Sequence, residues 1–369
     1  VAVVLALGSV VTTWWLGRRA YGPHAGAVAA AIATVSTLHV AYSREAVTDI
    51  PLALGVGAAL ALMVTGRIEI AGAVAGLATG FKYPGVFLVV PLVVAAWGAW
   101  RRLVTAILLM GLCFVASSPF VLVHRRQALH EALRVQRLAR KGWLGFEHDH
   151  AAPIAFVDRL WHGLGPALIV AAVGLAVALI RRSRTDLVLA SFVLVYFADL
   201  LTLRAHFDRY ALPLVPPLAA LAGRFRALAP VTLLLLVVPL TWTIRDAKEL
   251  TRTDTRIVAA RWIERHVAAG SKIAADSSTA LVGRYDVLQL QLPAPWQAPD
   301  PNRDVARLRR DGVDVVVATG AIADRVRAAP DRYPREVRFY DDLRRRADLL
   351  FRVAAGGGRA GPWVDVFRL

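Results

Sequence analysis

Residues 50–83 read IPLALGVGAALALMVTGRIEIAGAVAGLATGFKY, two apolar stretches separated by Arg67 and Glu69 and closed by Lys82. A helix needs about 20 apolar residues to cross a bilayer, and about 17 suffice; the stretch 50–66 meets that length. Working outward, the same pattern recurs at 1–16, 25–42, 103–123, 163–180, 187–203 and 228–244, with 210–222 marginal. The region 68–100 is interrupted by Lys82, Tyr83 and Pro84, and reads either as two short spans or as a re-entrant hairpin. The pattern predicts a polytopic α-helical membrane protein with about ten transmembrane helices.

Composition agrees. The 369 residues are 57% hydrophobic, with a mean hydropathy of +0.51, against about 45–50% apolar in soluble chains. That excludes a purely soluble enzyme. The formal charge of +17 would suggest nucleic acid in a soluble chain, but its placement follows membrane topology instead. If spans alternate, one set of breaks holds Arg18, Arg19, Arg67, Arg101, Arg102, Arg181, Arg182, Arg184, Arg224 and Arg226, with Glu69 and Asp186 as its acids. Short cytoplasmic loops carry such an excess. The opposite, mixed-charge set comprises 43–49, 82–84, 124–162, 204–209 and the tail after Arg245, and is expected outside the membrane. No nucleic-acid partner is needed. The single cysteine, Cys113, lies in an apolar run, so no intrachain disulfide is possible.

Two domains are predicted: a transmembrane domain over 1–245 with outer loops at 43–49, 124–162 and 204–209, and an extracytoplasmic α/β domain over 246–369. In the tail, 253–269 reads as an amphipathic helix stopped by Gly270, 272–275 as a strand, and 304–311 as a helix. Residues 313–318 form a buried-type strand, 321–329 and 337–350 helices, 363–369 a closing strand, and the Pro-rich 293–301 a loop. Val1 already lies inside an apolar run, with neither an initiator Met nor a charged region ahead of it, so a signal peptide is a poor reading. The sequence is expected to lack an N-terminal segment.

Ionisable residues at a membrane boundary are functional candidates by default. The 43–49 loop supplies Arg44, Glu45 and Asp49. Asp49, just before Ile50 and Pro51, can also cap the next helix. Lys82 follows Gly76 and Gly80, whose spacing lets helices pack closely; it either snorkels to headgroups or binds an anionic group. Asp199 lies inside an apolar span and must face a partner or a wet cavity, with Arg204, His206, Asp208, Arg209 and Tyr210 following it. Residues 124–141 form a basic amphipathic stretch suited to the interface plane, where it anchors the loop or guides an anionic headgroup. His148, Asp149 and His150 are a weak metal signal without a third ligand in view. Phosphate-loop, GxSxG and HExxH motifs are absent from the sequence.

The order of four motifs resembles the GT-C glycosyltransferases: GRRAYG at 17–22, HVAYSREAVTD at 39–49, GLATGFKY at 76–83 and RYALPLVPP at 209–217. Within them the chain is most similar to the phospholipid carrier-dependent group, the protein O-mannosyltransferases and aminoarabinose transferases of glycosyltransferase family 39. The tail adds Trp262 and Ile263 after Asp254-Thr255-Arg256, and a closing GPWVDVFRL at 361–369. The resemblance covers nearly the whole chain. It implies transfer of a sugar from a polyprenyl-phosphate donor to a protein, lipid or glycan acceptor on the outer face of the plasma membrane. It places Asp49 and Glu45 in catalysis, and Arg44, Lys82, Tyr83, Asp199, His206, Asp208, Arg209 and Tyr210 at the substrate. The family's principal acid lies in a loop that would precede Val1. No cofactor is certain, and a divalent cation stays open. The rival readings are a transporter or flippase, and an inactive truncated homologue.

Overall fold

The computed structural model describes residues 1–280 and 284–369, which fall into two compact units. The first comprises Val1–Arg137 and His150–Ile244, the second Leu138–Asp149 and Arg245–Leu369.

The first unit is helical throughout. Its chain runs through α1 (Ala2–Tyr21), α2 (Pro23–Val35), α3 (Thr37–Tyr42), α4 (Asp49–Val64), α5 (Ile68–Phe81), α6 (Val89–Ala95), α7 (Trp100–Ser117), α8 (Phe120–Val123) and α9 (Arg125–Lys141). It continues through α10 (Ala152–Leu164), α11 (Ala167–Arg181), α12 (Arg184–Leu200), α13 (Val215–Ala222), α14 (Ala229–Leu235) and α15 (Val237–Glu249), whose last residues pass into the second unit. Short 3₁₀ segments at Tyr83–Leu88 and Asp208–Leu214 lead into α6 and α13. Leu16, Ile32, Leu52, Leu60, Met63, Leu92 and Phe192 fill the core.

Several expected spans are broken. The stretch 25–42 divides at Ser36, whose hydroxyl accepts from the His39 amide and so starts α3. The stretch 228–244 divides at Leu236. Among the described residues, Trp100–Ser117 and Arg226–Glu249 are long and apolar enough to cross a membrane, and Ala152–Leu164 with Ala167–Arg181 makes a third if its 116° bend is one span. Pro23–Val35, Asp49–Val64, Ile68–Phe81 and Tyr83–Ala95 are shorter apolar helices. Helix length alone therefore gives fewer crossings than hydropathy does.

The break at Lys82 is real. Lys82 is extended, ending α5, and the following Pro84 disfavours continued α geometry at Tyr83. The chain then returns, so that α7 packs parallel to α5. A Cβ on Gly72 would lie 2.1 Å from the Ala106 carbonyl oxygen, one on Gly76 2.1 Å from that of Met110, and one on Gly80 2.1 Å from the Ser117 hydroxyl. The glycine stripe lets the two backbones touch. At the start of this pair Arg102 forks onto Glu69 at 2.6 and 2.8 Å, so Arg67 and Arg102 share one end of the bundle.

A second buried cluster gathers more of the arginine-set breaks. Asp186 accepts from the Tyr21 hydroxyl at 2.7 Å and from Ser183 at 2.7 Å, and pairs with Arg224 at 3.1 Å. Arg184 donates to the Ala95 carbonyl. The ends of α1, α6 and α13 and the start of α12 are thereby tied together.

In the second unit, β1 (Thr253–Asp254) pairs with β6 (Arg359–Ala360), beside a five-stranded sheet. Its strands are β2 (Lys272–Asp276), β3 (Asp286–Leu290), β4 (Val315–Thr319), β5 (Asp348–Val353) and β7 (Val364–Arg368), in the order β3-β2-β4-β7-β5. The first three are parallel, and β7 runs antiparallel to both β4 and β5. Along β4, Val315 and Val317 face α16 (Thr255–His266), while Val316 and Ala318 face the layer of α17 (Val305–Arg310), α18 (Gly320–Ala328) and α19 (Pro334–Arg346). A strand buried on both faces reads as an unbroken apolar run. At the end of β2, the buried Asp276 pairs with Arg303 at 3.1 Å and accepts from Tyr340 and the Thr319 amide. Burial, reinforced by the Asp276 charge, pushes the Tyr340 hydroxyl well above its ordinary range and keeps it a donor.

Two expectations for the tail are corrected. The helix expected over 337–350 ends at Arg346, and 348–353 is β5, held by pairing with β7. Strand β3 lies where the sequence suggested no element. Residues 138–149 are also more than a loop: Leu144 is buried in the tail core, and the Gly142 carbonyl accepts from the Trp296 indole.

Replacing Gly76 by Ala is expected to destabilise the chain in detergent by about 1–3 kcal/mol, as overpacking does. Gly111→Ala in α7, whose Cβ meets nothing within 4 Å, should be neutral or stabilising in the same thermal melt, since alanine is the better helix former.

Candidate functional site

The far ends of α3, α4 and α5 converge with the loop that follows α12. Asp49 is the first residue of α4 and is only 2% exposed. Its carboxylate does not cap the helix, as the sequence suggested. It pairs with Lys82 Nζ at 2.5 Å, since a carboxylate buried in an apolar bundle gains most from a charged hydrogen-bonding partner.

Lys82 also lies 4.7 Å from the centre of the Tyr210 ring, close enough for a cation–π attraction. Arg209 stands 5.0 Å from the Phe207 ring and 5.8 Å from that of Tyr210. Its Nε is buried without a hydrogen-bond partner among the described residues. Asp208 accepts from the Tyr42 hydroxyl at 2.5 Å and from the Arg209 amide at 2.9 Å. The Tyr196 hydroxyl donates to the Tyr210 carbonyl at 3.1 Å and fixes this turn against α12. Phe87 packs edge-on against the Tyr196 ring, 6.0 Å between centres.

Asp49, Lys82, Asp208, Arg209 and Tyr210 are thus brought together. The other sequence candidates are placed differently. Asp199 accepts from Gln136 at 3.2 Å. His206 is buried, with its ring edge-on to Phe156 and Nε2 at 3.1 Å from the Leu203 carbonyl. Arg44, Glu45 and Tyr83 are exposed. Tyr42, Tyr196 and Gln136 were not singled out from the sequence. Tyr42 stood inside the quoted 39–49 motif, but its partner Asp208 is 166 residues away.

The arrangement can hold an anion. Two cationic side chains lie near one aromatic ring, and one of them has a buried N–H to spare. It does not suit a divalent cation, since the most buried carboxylate is already taken by a lysine. Among the described residues no group of three or more His, Cys, Asp or Glu is placed to hold a metal, and the 148–150 segment gains no third ligand.

Comparison with known proteins bears on the fold. Residues 1–123 match the family model described as dolichyl-phosphate-mannose-protein mannosyltransferase. The crystal structure of ArnT from Cupriavidus metallidurans in the apo state superposes with a TM-score of 0.59 at 15% identity, covering 99% of this chain and 82% of that one. The chain has the GT-C fold. The same ArnT bound to undecaprenyl phosphate gives a TM-score of 0.55 at 17% identity, over 99% and 83% of the two chains. No curated protein matches by sequence. The resemblance to the GT-C membrane glycosyltransferases read from the sequence is borne out.

Asp49→Asn and Lys82→Met should each lower thermal stability in detergent, because each leaves a buried or partly buried charge without its partner. The double variant should lose less than the sum, by about 0.5–3 kcal/mol of coupling. Strict additivity would show that the pair contributes nothing.

Proposed function

We propose that the chain is a lipid-carrier-dependent glycosyltransferase, moving a sugar from a polyprenyl-phosphate donor to an acceptor at the outer face of the plasma membrane. The observation that carries this reading is the cationic, aromatic site of Lys82, Arg209 and Tyr210 at one end of a GT-C fold. The ArnT structure that holds undecaprenyl phosphate supports it through a shared fold.

In the reaction, an acceptor heteroatom attacks the anomeric carbon, and the bond from that carbon to the carrier phosphate breaks with its electron pair leaving on phosphate. Fixed cations stabilise the charge that develops there. Arg209, with its unpartnered Nε, is assigned to the phosphate, and Lys82, near the same Tyr210 ring, adds a second positive charge. Asp49 is a positioning residue: a buried carboxylate at 2.5 Å from an ammonium holds that ammonium in place rather than taking a proton. Among the carboxylates in the sequence-derived site, Glu45, exposed on the 43–48 loop, is the one free to accept the acceptor's proton.

The polarity follows from the two ends of the helical unit. One gathers Tyr21, Glu69, Arg102, Asp186 and Arg224, the other Asp49, Lys82, Asp208 and Arg209. The positive-inside rule assigns the first to the cytoplasm. We assign the site end, the outer loops and the 246–369 domain to the outside, with about ten crossings counting the short and broken helices.

Full-length protein given a radiolabelled undecaprenyl-phosphate sugar and a panel of acceptors should form a labelled product. Arg209→Ala should lower kcat by about 10²–10³, as removal of one oxyanion donor does. Absence of product across the panel, or unchanged turnover in Arg209→Ala, contradicts the reading.

A further inference from the structure

Helix α9 is not absorbed by the site. It begins eight residues after the end of α7, a helix long and apolar enough to cross a membrane. Between them α8 leaves Phe120 75% exposed, with Leu122 and Val123 exposed beside it. This geometry puts the start of α9 at the boundary of the apolar layer, whichever side that boundary faces.

The faces of α9 are chemically distinct. Ala128, Ala132, Gln136 and Ala139, spaced four, four and three apart, form the less exposed stripe, and Gln136 fixes it to Asp199. On a neighbouring flank Leu129 and Leu133 are 62% and 50% exposed. Arg126 lies three residues before Leu129, Arg137 four after Leu133 and Arg140 seven after Leu133, so all three share that flank. Arg125, Arg134 and Lys141 add to the charge, and the one acid, Glu131, is paired with Arg134 at 3.5 Å. Exposed leucines beside arginines cover little protein, but they match a bilayer surface, where leucines enter the acyl boundary and guanidinium groups reach the phosphates.

We propose that α9 is a binding surface for anionic phospholipid headgroups, with Leu129 and Leu133 immersed and Arg126, Arg137 and Arg140 on the phosphates. The occupant is the bilayer itself, argued from the charge of the flank and its continuity with the end of a membrane-length helix. It stands apart from the transfer reaction and does not depend on it.

The test is depth measurement by a nitroxide at Leu133→Cys, with Cys113→Ala to remove the native thiol, in full-length protein in nanodiscs. In phosphatidylglycerol the label should lose access to a water-soluble nickel relaxant and gain access to oxygen. In phosphatidylcholine, or at 1 M salt, where screening shortens to about 3 Å, that protection should be largely lost. Replacing Arg126, Arg137 and Arg140 together by Gln should abolish the phosphatidylglycerol effect, and the same three as Lys should retain it, which separates charge from misfolding. A label that stays aqueous in phosphatidylglycerol overturns the proposal. So does equal immersion in both lipids, which would leave an apolar contact alone, or immersion in phosphatidylcholine only after adding undecaprenyl phosphate, which would assign the helix to the carrier.

Discussion

A charge placed inside an apolar bundle must find a partner or leave, and the Asp49–Lys82 pair is where this chain meets that demand at its candidate site. The pair depends on two helix boundaries. Asp49 must open α4, and α5 must stop at Lys82, which the extended backbone there and Pro84 two residues later ensure. It also depends on how α5 is seated in the bundle, and the stripe Gly72, Gly76 and Gly80 sets it directly against α7. Once Lys82 is held, Tyr210 has a cation against its ring, and Arg209 is set beside it by Asp208 and Tyr42.

The same constraint organises the opposite end. Asp186 would be costly alone, and it is satisfied by the neighbouring Ser183 and by Tyr21 and Arg224 from distant parts of the chain. Polar groups in the helical unit therefore concentrate in two layers, with apolar helix packing between them. One layer is rich in arginine, and its buried Asp186 is satisfied by Tyr21, Ser183 and Arg224. The other brings Lys82 and Arg209 to one aromatic ring, with the Arg209 Nε buried and unpartnered among the described residues. That cationic, aromatic grouping is the physical basis for reading the second layer as a site.

Much of this was legible from the sequence because it rests on local pattern. Apolar runs gave the helical unit, Lys82 with Pro84 gave the break, Gly76 and Gly80 gave a close helix contact, and 313–318 gave the central strand. What was not legible rests on distant partners. Asp49 was read as a catalytic candidate that could also cap its helix, and its pairing with a lysine 33 residues on was not legible. Asp199 was expected to face a partner, but that the partner is Gln136 of α9, 63 residues away in sequence, was not legible. The run of arginines at 344–346 suggested a longer helix, but pairing of Leu349 with Phe367 turns the next residues into β5. Trp143 and Leu144 gave no local sign that they belong to the tail core.

The central claim is that Arg209, with Lys82 held by Asp49, receives the carrier phosphate. Native mass spectrometry of the full-length chain titrated with undecaprenyl phosphate tests it without requiring the sugar or the acceptor to be known. The account predicts a saturable complex that Arg209→Gln weakens strongly while undecaprenol, which has no phosphate, fails to compete. Equal binding by wild type and Arg209→Gln, or equal competition by undecaprenol, would contradict it.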